Sequence, residues 1–328
     1  MSIEKFRYYM GLGRIQGAST TAAVSILGAY TALGDISLQD VILLIIIGFF
    51  SHSSGAALNE ICDMKLDRQV PELSQKPLVK GIISTTEAFA FVLFALFANI
   101  LLIVYFYPTF ATLIFLISYV IVASYSLKAK YVPLAFEITF PLGYALYSFF
   151  GVFAVGNPTP LSWIVFISIF LALLFNQWQN EMKDVDTDRV LNIPSLANRW
   201  NYKFGKKLRI KDPLIIYALC LKFIFFGIYL LPLIFHLVST LYIILFLIIG
   251  VPSQVYLIRN LFRMRRRSDW VKSMILDMML TWILGPLLII DIIGVIGVLG
   301  LLYLVVAGYF LGSSIEIGSE FKYRAWTR

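Results

Sequence analysis

STTEAFAFVLFALFANILLIVY (84–105) and TFATLIFLISYVIVASYSL (109–127) follow one another with three residues between them. Each is close to the roughly 20 mostly apolar residues that a helix needs to cross the hydrocarbon core of a bilayer. Runs of similar length recur at 15–33, 40–62, 133–154, 160–181, 213–235 and 238–259, and 271–312 has room for one more span or two, broken at Gly285-Pro286. The short apolar alternation of an outer-membrane barrel is absent, so the spans are read as α-helices, each satisfying its own backbone hydrogen bonds. Across 328 residues, 59% are hydrophobic and 14% charged, with a mean hydropathy of +0.83. That is more apolar side chain than one water-soluble core could hide. Two cysteines, Cys62 and Cys220, exclude a disulfide scaffold. No cleavable signal is expected, since the first apolar run lacks a small-residue cleavage site and leads straight into others. The expected fold is an all-α polytopic membrane protein: one transmembrane domain over 1–328, with nine or ten helices around a central cavity and a polar cap on the cytoplasmic face.

Charge placement orients these spans. With Lys5, Arg7 and Arg14 inside, the inside connections 63–83, 128–131, 182–212 and 260–270 carry the Lys and Arg residues. The opposite connections, 34–38, 107–109, 156–160 and 236–239, carry none. This is the positive-inside pattern of a cell-membrane protein. The basic C-terminal residues Lys322, Arg324 and Arg328 are inside with ten spans and outside with nine, which favours ten. The net charge of +8 is then a topology signal and an attraction to anionic lipid, and no nucleic-acid partner is needed to explain it.

Against this background the acidic residues stand out, because a carboxylate at membrane depth is expensive. The second span ends Asn59-Glu-Ile-Cys-Asp63-Met-Lys-Leu-Asp67, and the sixth ends Asn180-Glu-Met-Lys-Asp184-Val-Asp-Thr-Asp188. Steps of four residues advance about 40° around a helix, so each set forms one stripe about 12 Å long. Hard oxygen ligands of this kind suit Mg²⁺, held together with water and substrate phosphates. His52 is placed mid-span and His236 on the external side, so zinc is not expected. Two such stripes facing each other would repel unless cations sat between them. Arg68, Lys128, Lys130, Lys183 and Arg189 interleave with the acids. Acids with Lys and Arg at one membrane face point to a metal-bridged polyphosphate, and a neighbouring apolar cavity points to a lipid diphosphate.

At this point the sequence resembles the UbiA superfamily of intramembrane prenyltransferases, which carry two aspartate-rich motifs after their second and sixth helices. Asn59, Asp63 and Asp67 match the first in full; Asn180, Asp184 and Asp188 match the second, with Asn at its first position. Gln75-Lys76-Pro77-Leu78-Val79-Lys80-Gly81 is similar to the family's Arg-Pro-Leu-x-x-Gly segment, with Lys for Arg. Tyr125-Ser126-Leu127-Lys128 is similar to the end of its fourth helix, and Arg14 sits where its first helix often has a cation. The likeness runs to about residue 260.

The resemblance implies Mg²⁺-dependent transfer of a prenyl group from an isoprenyl diphosphate to an aromatic or lipid acceptor, through a carbocation-like carbon sheltered from water. It assigns metal binding to Asn59, Asp63, Asp67, Asn180, Asp184 and Asp188, of which the four aspartates are the catalytic candidates. Arg14, Asn59, Arg68, Tyr125, Ser126, Lys128, Asn180 and Lys183 are assigned to the diphosphate. Glu60 and Glu181 are expected to point away from the metals, and the 183–212 loop to close over bound diphosphate. Glu137, Lys222 and Asp277 lie in apolar sequence as candidates to line the cavity, and Asp277 could equally pair with a cation on another helix. The Arg263–Arg267 cluster reads as a headgroup anchor. A cation-coupled transporter is the alternative, although the polar clusters sit at one face rather than at broken helices near the midplane. An intramembrane phosphotransferase would need an Asp-Gly-x-x-Ala-Arg segment, which is absent. The acceptor and the prenyl length stay open.

Overall fold

The computed structural model of the protein describes residues 3–69, 73–74, 76–205 and 208–315. Their regular structure is helical: α1 (Ile3–Leu12), α2 (Ala18–Tyr30), α3 (Leu38–Asp67), α4 (Thr85–Phe106), α5 (Thr109–Leu127), α6 (Ala135–Val155) and α7 (Pro160–Val190). There follow α8 (Leu196–Arg199), α9 (Pro213–Ile234), α10 (Thr240–Leu245), α11 (Val251–Leu261), α12 (Arg267–Leu287) and α13 (Ile290–Ile315). A five-residue π turn, Phe246–Gly250, joins α10 to α11 in one continuous rod. Among the described residues eight helices are long and apolar enough to cross a membrane, the α10–α11 rod counting as one.

Local chemistry sets the helix starts. Ser37 and Asp40 cap α3 reciprocally, Ser84 and Glu87 do the same for α4, and Thr159 and Ser162 for α7, where Pro160 fills the first turn. The polar residues bounding the apolar runs thus satisfy backbone N–H groups that lipid could not.

Two sequence expectations change in detail. The 15–33 run is not one helix: Arg14 is left-handed (φ 45°), Ile15–Gly17 is a 3₁₀ turn, and α2 covers only Ala18–Tyr30. The cause lies in its position, for α2 is buried along nearly its whole length and rich in small residues. Its Gly28 lies against the Ser148 carbonyl of α6, and Gly151 of α6 lies reciprocally against the Ser25 carbonyl. A Cβ at either glycine would overlap the oxygen. This is the close backbone approach that small residues allow between membrane helices. The 271–312 stretch resolves into two helices, with the turn at Leu288–Ile289 just past Pro286. Gly294 then kinks α13 at φ 66°, ψ 177°, a conformation open essentially to glycine.

The motif helices also run further than their apolar spans. α3 continues to Asp67 and α7 to Val190, so both acidic stripes lie on helix rather than loop. The basic residues Lys322, Arg324 and Arg328, together with Gln75, lie outside the described residues.

Candidate active site

The α3 stripe is held by cations from three other segments. Asn59 Nδ2 donates to Asp63 Oδ2 at 3.0 Å, and Asp63 Oδ1 pairs with Lys130, in the 3₁₀ turn after α5. Asp67 accepts from Lys76 Nζ at 2.8 Å, and the same ammonium lies 2.8 Å from Glu60. Glu60 also accepts from Arg14, whose Nε is 3.1 Å away. Arg14, Glu60, Lys76 and Asp67 therefore alternate in sign along one chain of contacts. Glu60 and Asp67 are buried, and such charges persist only where each has a partner.

On α7, Asn180 Nδ2 donates to the Asn176 backbone and side-chain oxygens, both at 3.1 Å. Asp184 pairs with Lys183 and with Arg267 Nη2 (3.4 Å) at the start of α12. Asp188 is buried within electrostatic reach of Asp184 and Lys183. The chain after α7 folds back across this end. Glu181 Oε2 accepts from the Leu196 N–H at 2.5 Å, and Arg199 of α8 pairs with Glu137 of α6. Tyr202 is fully buried: its hydroxyl accepts from Trp270 Nε1 at 2.9 Å and its carbonyl from Arg189 Nη2 at 2.8 Å. Glu60 thus serves Arg14 and Lys76 beside the α3 stripe, and Glu181 serves the Leu196 backbone beside the α7 stripe.

The end of α5 and the turn after it reach α7 and the α3 stripe. The Tyr125 hydroxyl lies 3.5 Å from Gln177 Nε2 and within electrostatic reach of Asp184 and Asp188, while Lys130, five residues on, meets Asp63. Ser126 is buried beside it. Lys128 and Arg68 are exposed, the latter with Nη2 3.9 Å from Met64 Sδ. The structure therefore brings Lys130 onto Asp63 and adds Lys76 and Arg267 to the charged groups around the stripes. Lys76 and Lys130 were visible in the sequence as inside-face cations, whereas Arg267, read there as part of a headgroup anchor, meets Asp184 instead.

An apolar cavity opens one turn below Asn180. Asn176, Leu173, Ile169 and Val165 of α7 line it over roughly 16 Å of helix, with Val24 and Leu27 of α2 opposite. Tyr144, Tyr229, Trp282 and Asp277 complete the parts of the wall that bear rings or charge.

The donor chemistry of the stripes fits a hard divalent cation: carboxylate and amide oxygens, with Asn59 Oδ1 buried and lacking a hydrogen-bond partner in the protein. Among the described residues no three Asp, Glu, His or Cys side chains converge as a metal cage. A metal here would take its remaining oxygens from water and a phosphate ligand.

The sequence profile of the UbiA prenyltransferase family matches residues 18–284. The 4-hydroxybenzoate octaprenyltransferase of Vibrio parahaemolyticus serotype O3:K6 (strain RIMD 2210633) is 26% identical over 207 residues, 60% of this chain and 70% of that protein. The enzyme of the same name from Aliivibrio fischeri (strain MJ11) is 28% identical over 169 residues, 48% of this chain and 55% of its own length. In fold, the chain is similar to a digeranylgeranylglyceryl phosphate synthase structure (TM-score 0.68, 22% identity, 88% of this chain and 99% of that one). It is also similar to a UbiA homologue from Archaeoglobus fulgidus bound to GPP and Mg²⁺ (TM-score 0.63, 16% identity, 86% and 99%). The profile match encloses both acidic stripes, the Tyr125–Lys130 turn and most of the cavity wall, and with eight apolar helices around them the chain is an integral membrane protein of the UbiA prenyltransferase family.

Proposed function

We propose that the protein transfers a prenyl group from an isoprenyl diphosphate to an aromatic or lipid acceptor, with Mg²⁺, at the cytoplasmic face of the cell membrane. The observation that carries this reading is the pair of acid–amide stripes, each met by cations, with Lys130 after α5 on Asp63, Tyr125 beside Gln177 of α7, and an apolar cavity one turn below the α7 stripe. One or two Mg²⁺ ions held by Asn59, Asp63, Asp67, Asn180, Asp184 and Asp188 would neutralise the diphosphate and ease its departure. Arg14, Arg68, Tyr125, Ser126, Lys128 and Lys183 remain candidates for its oxygens, and Lys130 and Arg267 join them. The cations now resting on Asp63 and Asp184 are in position to turn to phosphate once these carboxylates are engaged. The cavity takes the prenyl tail, and its dry wall keeps water from the allylic carbon as the C–O bond loosens.

The geometry also supports ten crossings within a single domain, counting α2 and α12. At one end of α13 Asp291 accepts from the Ser239 N–H (2.6 Å) in the Lys- and Arg-free α9–α10 connection; at the other, the Ile315 carbonyl accepts from Arg7 Nε (2.8 Å). α1 and the Ile315 end of α13 then lie with the motifs on the basic, cytoplasmic side.

The test is binding and turnover of radiolabelled geranyl and geranylgeranyl diphosphate by purified protein, with Mg²⁺ or EDTA. Binding that needs Mg²⁺ and is lost in EDTA is the expected result. Folded protein indifferent to both diphosphates and to metal would overturn the reading and favour transport. A second expectation concerns the turn after α5. Lys130→Ala should weaken diphosphate binding about tenfold, the scale of one charge-assisted hydrogen bond. Lys128→Ala, at an exposed position, should weaken it less. Equal effects of the two substitutions would remove Lys130 from the site.

A further inference from the structure

We propose that the buried Lys222–Asp277 pair marks the acceptor side of the cavity, where a neutral phenol or alcohol donates its hydroxyl hydrogen to Asp277 and accepts from Asn176. The inference rests on the prenyltransferase reading above and extends it to the class of acceptor.

Lys222 (α9) and Asp277 (α12) are 3% and 2% exposed, and Lys222 Nζ donates to Asp277 Oδ1. Asp277 is nevertheless part of the cavity wall. Its depth is fixed by the neighbouring helix: Lys222 Nζ lies 3.9 Å from the centre of the Phe175 ring, and the next residue, Asn176, lines the same cavity. Asn176 is one turn, roughly 6 Å, below Asn180 and two turns below Asp184. A diphosphate seated on the stripes would place its allylic carbon toward this level, because the tail must continue into the cavity beneath. Asp277 and Asn176 therefore flank the reacting end of the donor rather than its tail.

Their hydrogen-bonding capacity is complementary to a hydroxyl. Lys222 engages one oxygen of Asp277 and leaves Oδ2 for a ligand. Asn176 Oδ1 is taken by Asn180, and Asn176 Nδ2 is buried without a hydrogen-bond partner. One carboxylate acceptor and one amide donor are thus unpaired at the motif-facing end of a chamber walled mainly by apolar side chains. A hydroxyl is both donor and acceptor and satisfies the two together. A carboxylate at the same place would face Asp277 at low dielectric, where like charges repel strongly. An ether or hydrocarbon would leave both groups unpaired.

The test uses full-length protein in detergent micelles, with protein-free micelles as the blank. Calorimetry compares 2-naphthol with its methyl ether, and geranyl diphosphate with Mg²⁺ is titrated in parallel. Wild type should bind the naphthol at least about tenfold more tightly than the ether, the scale of a hydrogen bond to a charged group. The paired variant Lys222→Met/Asp277→Leu removes both charges and leaves neither uncompensated. It should lose the naphthol preference while still binding the diphosphate. If that variant does not fold, Asn176→Leu carries the same comparison through the amide, with a smaller loss of preference expected. Naphthol that fails to bind wild type, binds no better than its ether, or keeps its preference in the variants overturns the assignment. Selective naphthol binding without diphosphate binding would instead leave the hydroxyl site standing and overturn the prenyl reading. An ion pair that only fastens α9 to α12 predicts the naphthol preference unchanged in the paired variant, whatever its thermal stability.

Discussion

Asp63→Ala/Asp184→Ala should lower Mg²⁺-dependent turnover at least about 10³-fold while leaving a folded protein. The magnitude follows from removing one central carboxylate from each stripe, when loss of a single preorganised electrostatic group already costs about 10²–10³ in rate. Each aspartate is half-buried and meets a cation: Lys130 for Asp63, Lys183 and Arg267 for Asp184. Without the carboxylates those cations can still attract a diphosphate, so some affinity should survive without metal dependence. Alanine suits the helices in which both residues sit, so the backbone should hold. The single substitutions should each cost nearly as much as the pair, because groups acting on one ligand are not additive. Release of labelled diphosphate reads the rate, and size-exclusion chromatography with circular dichroism reads the fold. Double-variant turnover within tenfold of wild type would remove these aspartates from the chemistry.

The stripes were legible because their period of four is itself helical, so no tertiary knowledge was needed to place Asn59, Asp63 and Asp67 on one face. Which lysine reaches them was not. Lys128 and Lys130 look equivalent in sequence, but the 3₁₀ turn at Ala129–Tyr131 buries Lys130 against Asp63 and leaves Lys128 exposed. Arg199 finds Glu137 across 62 positions and Arg267 finds Asp184 across 83, pairings that no local pattern carries. The expected loop at 183–212 is shorter because α7 runs on to Val190, where charged residues continue the helix beyond its apolar span. The length of α2 was misjudged for a related reason. Hydropathy registers that a segment is apolar, whereas close approach to α6 through Gly28 and Gly151 is a property of the pair. Lys222 and Asp277 were each visible as anomalies; Asp277 both lines the cavity and pairs with a cation on another helix, and that cation is Lys222.

That α2–α6 seam carries the second large effect. Gly28→Val or Gly151→Val should destabilise the protein by at least about 3 kcal/mol and sharply reduce the yield of monodisperse protein. A new side chain at either site meets a backbone carbonyl, Ser148 or Ser25, and backbone cannot swing aside as a flexible side chain would. Ordinary overpacking costs about 1–3 kcal/mol when neighbouring side chains absorb it. Here two helices must separate along their length, and values beyond about 4 kcal/mol come from mechanisms of this kind. The consequence reaches the cavity, because Thr20, Val24 and Leu27 line it from α2 and Tyr144 from α6, and the Thr21 hydroxyl lies 3.3 Å from that of Tyr144. Diphosphate binding should therefore weaken in whatever fraction folds. Gly227→Ala in α9 is the control, since nothing lies within 4 Å of a Cβ there and alanine favours a helix by about 1 kcal/mol. Thermal challenge followed by size-exclusion chromatography compares the three variants. Melting of Gly151→Val within a few degrees of Gly227→Ala would mean that α2 and α6 can part without loss, and that the seam does not fix the cavity wall.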